Sequence, residues 1–350
     1  MLFAMSSDMI PDDQPAGDAS RPDVGRREKR RNRRVLFVVL ALLVAVVAGG
    51  IGVASYYAKS AIDALDNITR EPTIMPTTGS SNRPPTVEPV PGVEHAPLNI
   101  VLMGSDTRGD ERGRSDVLQL LHISGDRKGV YLMSIPRDSW VDIPGRGKAK
   151  INAAYSWGGP ALTIETMEQL LEVPMDHTAI IDFEGFTKVI DTLGGITVYN
   201  REASSSRGAT FPKGDITLNG ADALIFVRER YGLSDGDFGR ATRQRDVIKA
   251  VLTKLASAGT LTDPGKFREA VTTLGGNFTV DAGLTNDAII DLGWQMKDFH
   301  PADIRSFQLP TAGFDMTGDG QSIVVVDSDK IVQLREALRN DTMEEFYSSL

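Results

Sequence analysis

The chain has 350 residues, of which 38 are Lys or Arg and 47 are Asp or Glu, for a formal net charge of −9, and 41% are hydrophobic. That apolar share supports a packed core and excludes a wholly disordered polymer, and the length suits one large domain or two small ones. With no cysteine present, disulfide scaffolds, thiolate zinc sites, iron–sulfur clusters and thiol nucleophiles are excluded together.

Residues 1–34 read as a disordered, basic cytoplasmic tail, rich at first in Ser, Asp, Pro and Gly and ending in Arg26, Arg27, Lys29, Arg30, Arg31, Arg33 and Arg34. Residues 35–58, VLFVVLALLVAVVAGGIGVASYYA, run for 24 positions without a charge. About 20 apolar residues span the ~30 Å hydrocarbon core, so one transmembrane helix is expected here, and the 34 residues ahead of it disfavour a cleaved signal peptide. Seven cations precede the stretch, and only Lys59 and Arg70 follow within a dozen residues. The positive-inside rule then makes the chain a single-pass protein of the cell membrane, its N-terminus cytoplasmic and everything after 58 extracytoplasmic, with the lipid bilayer as a partner. Beyond Ala58 the chain carries 30 basic and 41 acidic residues, a balance that argues against nucleic acid as a ligand. Residues 59–97 hold Pro72, Pro76, Pro84, Pro85, Pro89, Pro91 and Pro97 and read as a Pro-rich stalk.

From 98 to 350 the pattern is that of one α/β domain. Asn99–Gly104, Val117–Ile123 and Val130–Ile135 are short apolar runs of the kind that form buried strands. Ala153–Leu171 has helical spacing; Thr178–Phe183 reads as a strand and Glu184–Leu193 as a helix stopped by Gly194-Gly195. Ile196–Tyr199 is a short strand, Thr242–Ser257 an amphipathic helix, and further helices are expected near 265–274 and 285–296. Gln308 and Val324–Val326 supply late strands. Such alternation places helices on both faces of a central sheet.

Polar clusters follow the apolar strands. In GSDTRGDERGRSD, residues 104–116, Asp106 and Asp116 stand at the two ends of a loop containing Arg108, Arg112 and Arg114. Carboxylates at two strand ends suit a shared hard cation, and arginine forks suit phosphate oxygens; a solvated charged loop is the plainer reading. Arg137 and Asp138 follow the next strand, and Lys150 with Asn152 heads the long helix, where a cation is unfavourable unless an anion binds too. In VRERYGLSDGDFGRATRQRDVI, residues 227–248, Arg228 and Arg230 are expected as extended residues on one face, with Arg240, Arg243 and Gln244 sharing a helix face. Such a concentration repels itself without an anion. The competing account is a salt-bridge network with Asp222, Glu229, Asp235, Asp237 and Asp246. Zinc-hydrolase, nucleophile-elbow and nucleotide-loop motifs are missing, and His122, on an apolar strand, reads as a core histidine.

The succession NIVLMGSDTR, RSDVLQLLHIS, MSIPRDSWVDIPG, KINAAYSWGG, DFEGFTKVIDTLGGITV, LNGADALIFVRERY and DFGRATRQRDVI resembles the LytR-CpsA-Psr family in order and spacing over about 98–250. The resemblance implies an α-β-α sandwich with a central mixed sheet and a pocket for a polyprenyl chain. It also implies a phosphotransferase dependent on Mg²⁺ or Mn²⁺, moving a glycopolymer from a polyprenyl-diphosphate carrier onto peptidoglycan, with pyrophosphatase activity on the side. Carried over by position, Asp106 and Asp116 match the metal-binding aspartates, and Arg114, Arg137, Arg228, Arg230, Arg240 and Gln244 the pyrophosphate-binding set. Asp138 and Lys150 fall in the family's motifs, Asp138 grouped with Arg114 and Arg137 as catalytic and Lys150 with the substrate contacts. The basic tail and stalk suit a Gram-positive envelope, an actinobacterial one among the candidates, which makes arabinogalactan a candidate cargo beside teichoic acid and capsule. No additional C-terminal domain is expected. A non-catalytic polyprenyl-phosphate or glycan-binding protein and a membrane-bound transcriptional attenuator are the alternatives.

Overall fold

The computed structural model describes residues 65–77, 83–105, 115–255, 275–296 and 303–350, together with 59, 63, 269, 272, 273 and 298–300. The basic tail, the apolar stretch 35–58, Asp106, Arg114 and most of the helix expected near 265–274 lie outside the described residues. Among the described residues no helix is long and apolar enough to cross a membrane.

The first strands are β1 (Thr69–Arg70), β2 (Leu98–Ser105), β3 (Ser115–Ile123), β4 (Val130–Ser134), β5 (Trp140–Ile143), β6 (Gly147–Lys150) and β7 (His177–Asp182). They are followed by β8 (Ile196–Asn200), β9 (Ser204–Ser206), β10 (Ala209–Phe211), β11 (Gly214–Leu218), β12 (Phe278–Val280), β13 (Arg305–Gln308), β14 (Thr311–Met316) and β15 (Ser322–Val326). The helices are α1 (Asn152–Leu171), α2 (Phe183–Thr192), α3 (Gly220–Arg228), α4 (Asp237–Leu255), α5 (Asn286–Gln295), α6 (Ser328–Asn340) and α7 (Met343–Ser348).

Seven strands join in the order β1-β12-β7-β2-β3-β4-β13. β2 is parallel to β7 and β4 to β13, while β3 is antiparallel to both β2 and β4. β2, β4, β7 and β13 therefore run the same way, and their carboxyl ends form one edge of a mixed sheet. Alternation sends Val101, Met103, Leu118, Leu120 and Met133 to one face, against Ile164, Met167 and Leu171 of α1 and Leu334 of α6. Ile100, Ile123, Val130 and Leu132 leave from the other face toward Ile248 and Leu252 of α4 and Leu292 of α5. Burial on both faces is why these strands are apolar at nearly every position, and each fully buried Leu or Met contributes roughly 1.5–3 kcal/mol. The expected layering of helix, mixed sheet and helix is thus present. The Pro-rich region adds to it: β1 joins the sheet edge, Ile74 is buried, and Met75 and Val87 pack on the core under α1.

Three local departures from the sequence expectations bear on the site. The helix expected over 153–171 is broken at Gly159, whose φ of 69° and ψ of −158° leave the helical region just before Pro160 starts the second half. Residues 140–150 form a β5–β6 hairpin with Gly145 and Gly147 at positive φ, so Lys150 ends a strand instead of heading the helix. Arg228 is not extended. The Asn219 side chain accepts the Asp222 N–H and starts α3, and Ala223, Phe226 and Val227 are buried at helical spacing, which carries the helix through Arg228.

Candidate active site

The carboxyl edge of a sheet is where loops from several strands converge, and the charged loops gather there. After β4 the chain turns at Pro136, whose carbonyl accepts the Ser139 N–H at 3.0 Å. The loop that follows is tied on three more sides: Asn152 N–H to Arg137 O at 3.1 Å, Ile151 N–H to Ser139 O at 2.9 Å, and Val324 N–H to Asp138 O at 2.9 Å. Arg137 and Asp138 thus project from a fixed backbone. The hairpin register pairs Lys150 with Trp140, and Lys150 Nζ lies 3.1 Å from Asp138 Oδ1, with Arg137 Nε 3.7 Å from Asp138 Oδ2.

Asp237, at the start of α4, faces Arg137 from the other side. Its Oδ1 is 2.9 Å from Arg240 Nη2, 3.9 Å from Arg137 Nε and 3.9 Å from Arg230 Nε. One carboxylate therefore sits among three guanidinium groups, drawn from the β4 loop, the α3–α4 loop and α4. Arg230 is presented by a turn built on Glu229, whose Oε1 accepts the N–H groups of Arg230 at 3.0 Å and Gly232 at 2.8 Å. Burial works to raise the Glu229 carboxyl pKa, but the Ser206 hydroxyl and those two N–H donors outweigh it and leave it lowered.

Beside this cluster, between the sheet and helices α2 and α4, lies an apolar cavity of about 260 Å³ lined by Leu102, Gly104, Ile181, Phe186, Val247 and Phe278 among others. At Gly104 a Cβ would come within 2.9 Å of Val117, so the wall tolerates no side chain there. Gln244 lines the cavity and donates to Val227 O at 3.3 Å, while the Arg228 guanidinium lies 3.7 Å over Phe183 of the same lining. A larger groove of about 1130 Å³ runs between residues 83–88 and α1. Its rim carries Glu88, Asp142, Glu165 and Glu172, which makes it a poor seat for an anion.

The structure thus brings Arg137, Asp138, Lys150, Arg230 and Arg240 into one network and sets Arg228 and Gln244 on the cavity next to it. Arg243, expected on the same face as Arg240, turns inward. Its Nη2 donates to Asn200 Oδ1 and Ser204 Oγ at 2.9 Å each, and its guanidinium lies 4.1 Å from the Phe226 ring centroid. Asp237 enters the site only as a member of the salt-bridge alternative, and the i,i+3 spacing to Arg240 was its sequence signal. Of the other acids of that alternative, Glu229 acts on its own turn and Asp246 on Arg201 at 3.0 Å. His122 is the buried core histidine expected, with Nδ1 2.9 Å from Asn99 Oδ1.

Among the described residues no group of three or more His, Asp or Glu is arranged to hold a metal. Asp116 lies in β3 at a register irregularity, between Ser115, which pairs with Ser105, and Val117, which pairs with Gly104. Asp106 follows Ser105 in the chain and lies outside the described residues. Two carboxylates completed by substrate phosphate oxygens are a donor set that fits Mg²⁺ or Mn²⁺.

The LytR_cpsA_psr family matches residues 67–340 of the chain. A Bacillus cereus protein, polyisoprenyl-teichoic acid–peptidoglycan teichoic acid transferase TagU, is 36% identical over 268 residues, covering 76% of this chain and 84% of that one. Bacillus subtilis TagV superposes with a TM-score of 0.61 at 28% identity, covering 71% of this chain and 98% of the other. TagT bound to LI-WTA gives a TM-score of 0.58 at 26% identity, covering 76% and 98%.

Proposed function

The chain belongs to the LytR-CpsA-Psr family, and from that premise we propose that it transfers a glycopolymer, through its linking phosphate, from a polyprenyl-diphosphate carrier to a hydroxyl of peptidoglycan. One observation carries the reading: an apolar cavity whose lining touches Arg228 and Gln244, beside a cluster of Arg137, Arg230 and Arg240 around a single carboxylate. A lipid diphosphate has those two halves, a hydrocarbon tail and a dense anion. The transferase activity named for the relatives points the same way. Teichoic acid is the cargo in their names and the first candidate here, with arabinogalactan and capsule to be tested beside it.

In the proposed reaction the acceptor hydroxyl oxygen attacks the phosphorus that bears the glycan. The bond from that phosphorus to the bridging oxygen breaks, polyprenyl phosphate leaves with the electron pair, and the hydroxyl proton passes to solvent. Arg137, Arg230 and Arg240 hold the phosphoryl oxygens and oppose the charge that builds on the leaving phosphate. Asp138, held by Lys150 and Arg137, orients both cations, and Arg114 is assigned to the same anion by its place in the family motif alone. A divalent cation held by Asp106 and Asp116 would neutralise diphosphate charge when bound. Water in place of the sugar hydroxyl gives hydrolysis as the side reaction. The proposal includes a membrane helix over 35–58, with the domain outside the cytoplasm.

The test is transfer of a lipid-linked glycan to peptidoglycan by the purified full chain, with and without Mg²⁺. Covalent glycan on the sacculus and release of polyprenyl phosphate are expected. Tight lipid binding with neither product would reduce the protein to a carrier.

A further inference from the structure

Single exposed apolar side chains are ordinary, but contiguous ones at the rim of a site need an explanation. Phe314 is 65% exposed and Met316 64% exposed, two residues apart on β14 and therefore on one face. Phe314 stacks on Phe238, with ring centroids 5.0 Å apart and planes at 24°. Phe238 immediately follows Asp237, the carboxylate shared by the three arginines. The hairpin is also fastened to the site through its backbone: Phe314 pairs with Val324, and Val324 donates to Asp138 O at 2.9 Å and bridges Ser139. At about 4.8 Å per strand spacing, the Phe314 backbone lies within ~10 Å of the loop that carries Arg137 and Asp138.

We propose that this face of the β14–β15 hairpin is the platform for the sugar rings of the acceptor glycan strand, with Phe314 packed against one pyranose face. The inference rests on the transfer reading above. A pyranose offers a face of C–H groups, which suits an exposed aromatic ring such as Phe314. Residues 311–326 contain Asp315 and Asp319 and no Lys or Arg. That charge disfavours an anionic lipid surface or a phosphate-rich polymer. The stack on Phe238 holds the ring in place before any ligand arrives, which lowers the ordering cost of binding. The occupant must also reach the phosphorus between the arginines, as the acceptor sugar does.

The experiment compares wild type, Phe314→Ala, Phe314→Ala with Met316→Ala, and Phe314→Tyr, each as the full chain. Transfer to peptidoglycan glycan strands, release of polyprenyl phosphate to water, and equilibrium binding to the strands alone are measured side by side. The alanine variants should raise the KM for glycan strands about tenfold and weaken strand binding equally, with the donor KM and melting temperature unchanged, and Phe314→Tyr should restore both. Unchanged acceptor KM and strand binding in the double variant would overturn the platform while leaving the transfer reading intact. If wild type transfers nothing, the transfer reading fails by itself, and equal strand binding by wild type and double variant still removes the platform.

Discussion

Arg83 and Arg230 both face carboxylates, in opposite charge balance. Arg83 donates from Nε and Nη2 to Glu168, the shorter contact being 2.6 Å, and from Nη2 to Met175 O at 2.9 Å. Glu168, only 1% exposed, also accepts the Met175 N–H at 2.9 Å. One cation meets one anion there, and the hydrogen bond to Glu168 raises the Arg83 pKa above its usual value, with burial opposing. At the site, Arg137, Arg230 and Arg240 share Asp237. A matched pair locks the fold, whereas among the described residues the site sets Arg137, Arg230, Arg240 and Lys150 against Asp138 and Asp237, a balance that suits an added anion.

The sharpest way to break this contrast is to remove half of the matched pair. Arg83→Ala leaves Glu168 charged in the core and should cost roughly 3–5 kcal/mol, about 10 °C in melting temperature for a domain of this size. Transfer per folded molecule should stay at the wild-type level. Replacing both partners by leucine should recover most of the loss, and thermal melts of the single and double variants check it. A single variant with an unchanged melting point would remove the structural role assigned to Arg83.

Arg137→Ala and Arg230→Ala should behave in the reverse manner. Each should lower kcat/KM for transfer 100- to 1000-fold, about 2.7–4 kcal/mol in the barrier, while the melting temperature stays within about 2 °C. Lysine should restore little, because it keeps the charge but not the planar fork. Destabilisation with normal turnover would make these arginines structural, like Arg83.

Much of this was legible from sequence. The apolar runs 99–104, 117–123 and 130–135 declared the buried sheet because both faces are covered, and the loops after them carried Arg137, Asp138 and Lys150. What escaped depends on contacts between distant segments. Arg228 and Arg230 alternate as a strand would, yet the cap at Asn219 and the buried Phe226 and Val227 make the first of them helical. Arg243 shares its spacing with Arg240, but only the packing of Phe211 and Phe226 beneath α4 shows that it is buried. The hairpin at 311–326 was half seen, since Phe314 and Met316 follow no buried alternation. Asp237 was visible as one acid among five, and nothing local marks it as the one that three arginines share.

Asp281 gives a third balance, a carboxylate met by N–H donors and one histidine. It accepts from Thr178 N at 3.0 Å, Gly283 N at 2.9 Å and Leu284 N at 3.1 Å, with His177 Nδ1 at 3.2 Å. Burial pushes its pKa up, but His177 and the backbone donors outweigh that and hold it below the ordinary aspartate value. A depressed folded-state value means the stabilisation is fully present above the unfolded pKa, about 3.9, and is lost as pH falls through the folded value. Asp281→Asn should therefore cost roughly 1–3 kcal/mol at pH 7, and the gap to wild type should close below about pH 4. Urea titrations at pH 7, 5 and 3 would measure it, and a constant gap would exclude the linkage.

A modest stability change, and the most discriminating result for the site, comes from Asp237→Asn. Its ion pairs are partly exposed, so their loss should cost only about 1 kcal/mol. Three guanidinium groups are then left without their shared counter-charge and repel one another more strongly. Melting temperature should fall by a few degrees in low salt and recover as salt screens the repulsion. Inorganic pyrophosphate should restore it too, and should bind the variant several-fold more tightly than wild type, because no resident carboxylate competes for the arginines. Calorimetric titration of both proteins with pyrophosphate decides the matter. Tighter binding makes Asp237 the placeholder for the substrate anion, whereas weaker binding would make it the brace that holds the arginines in position.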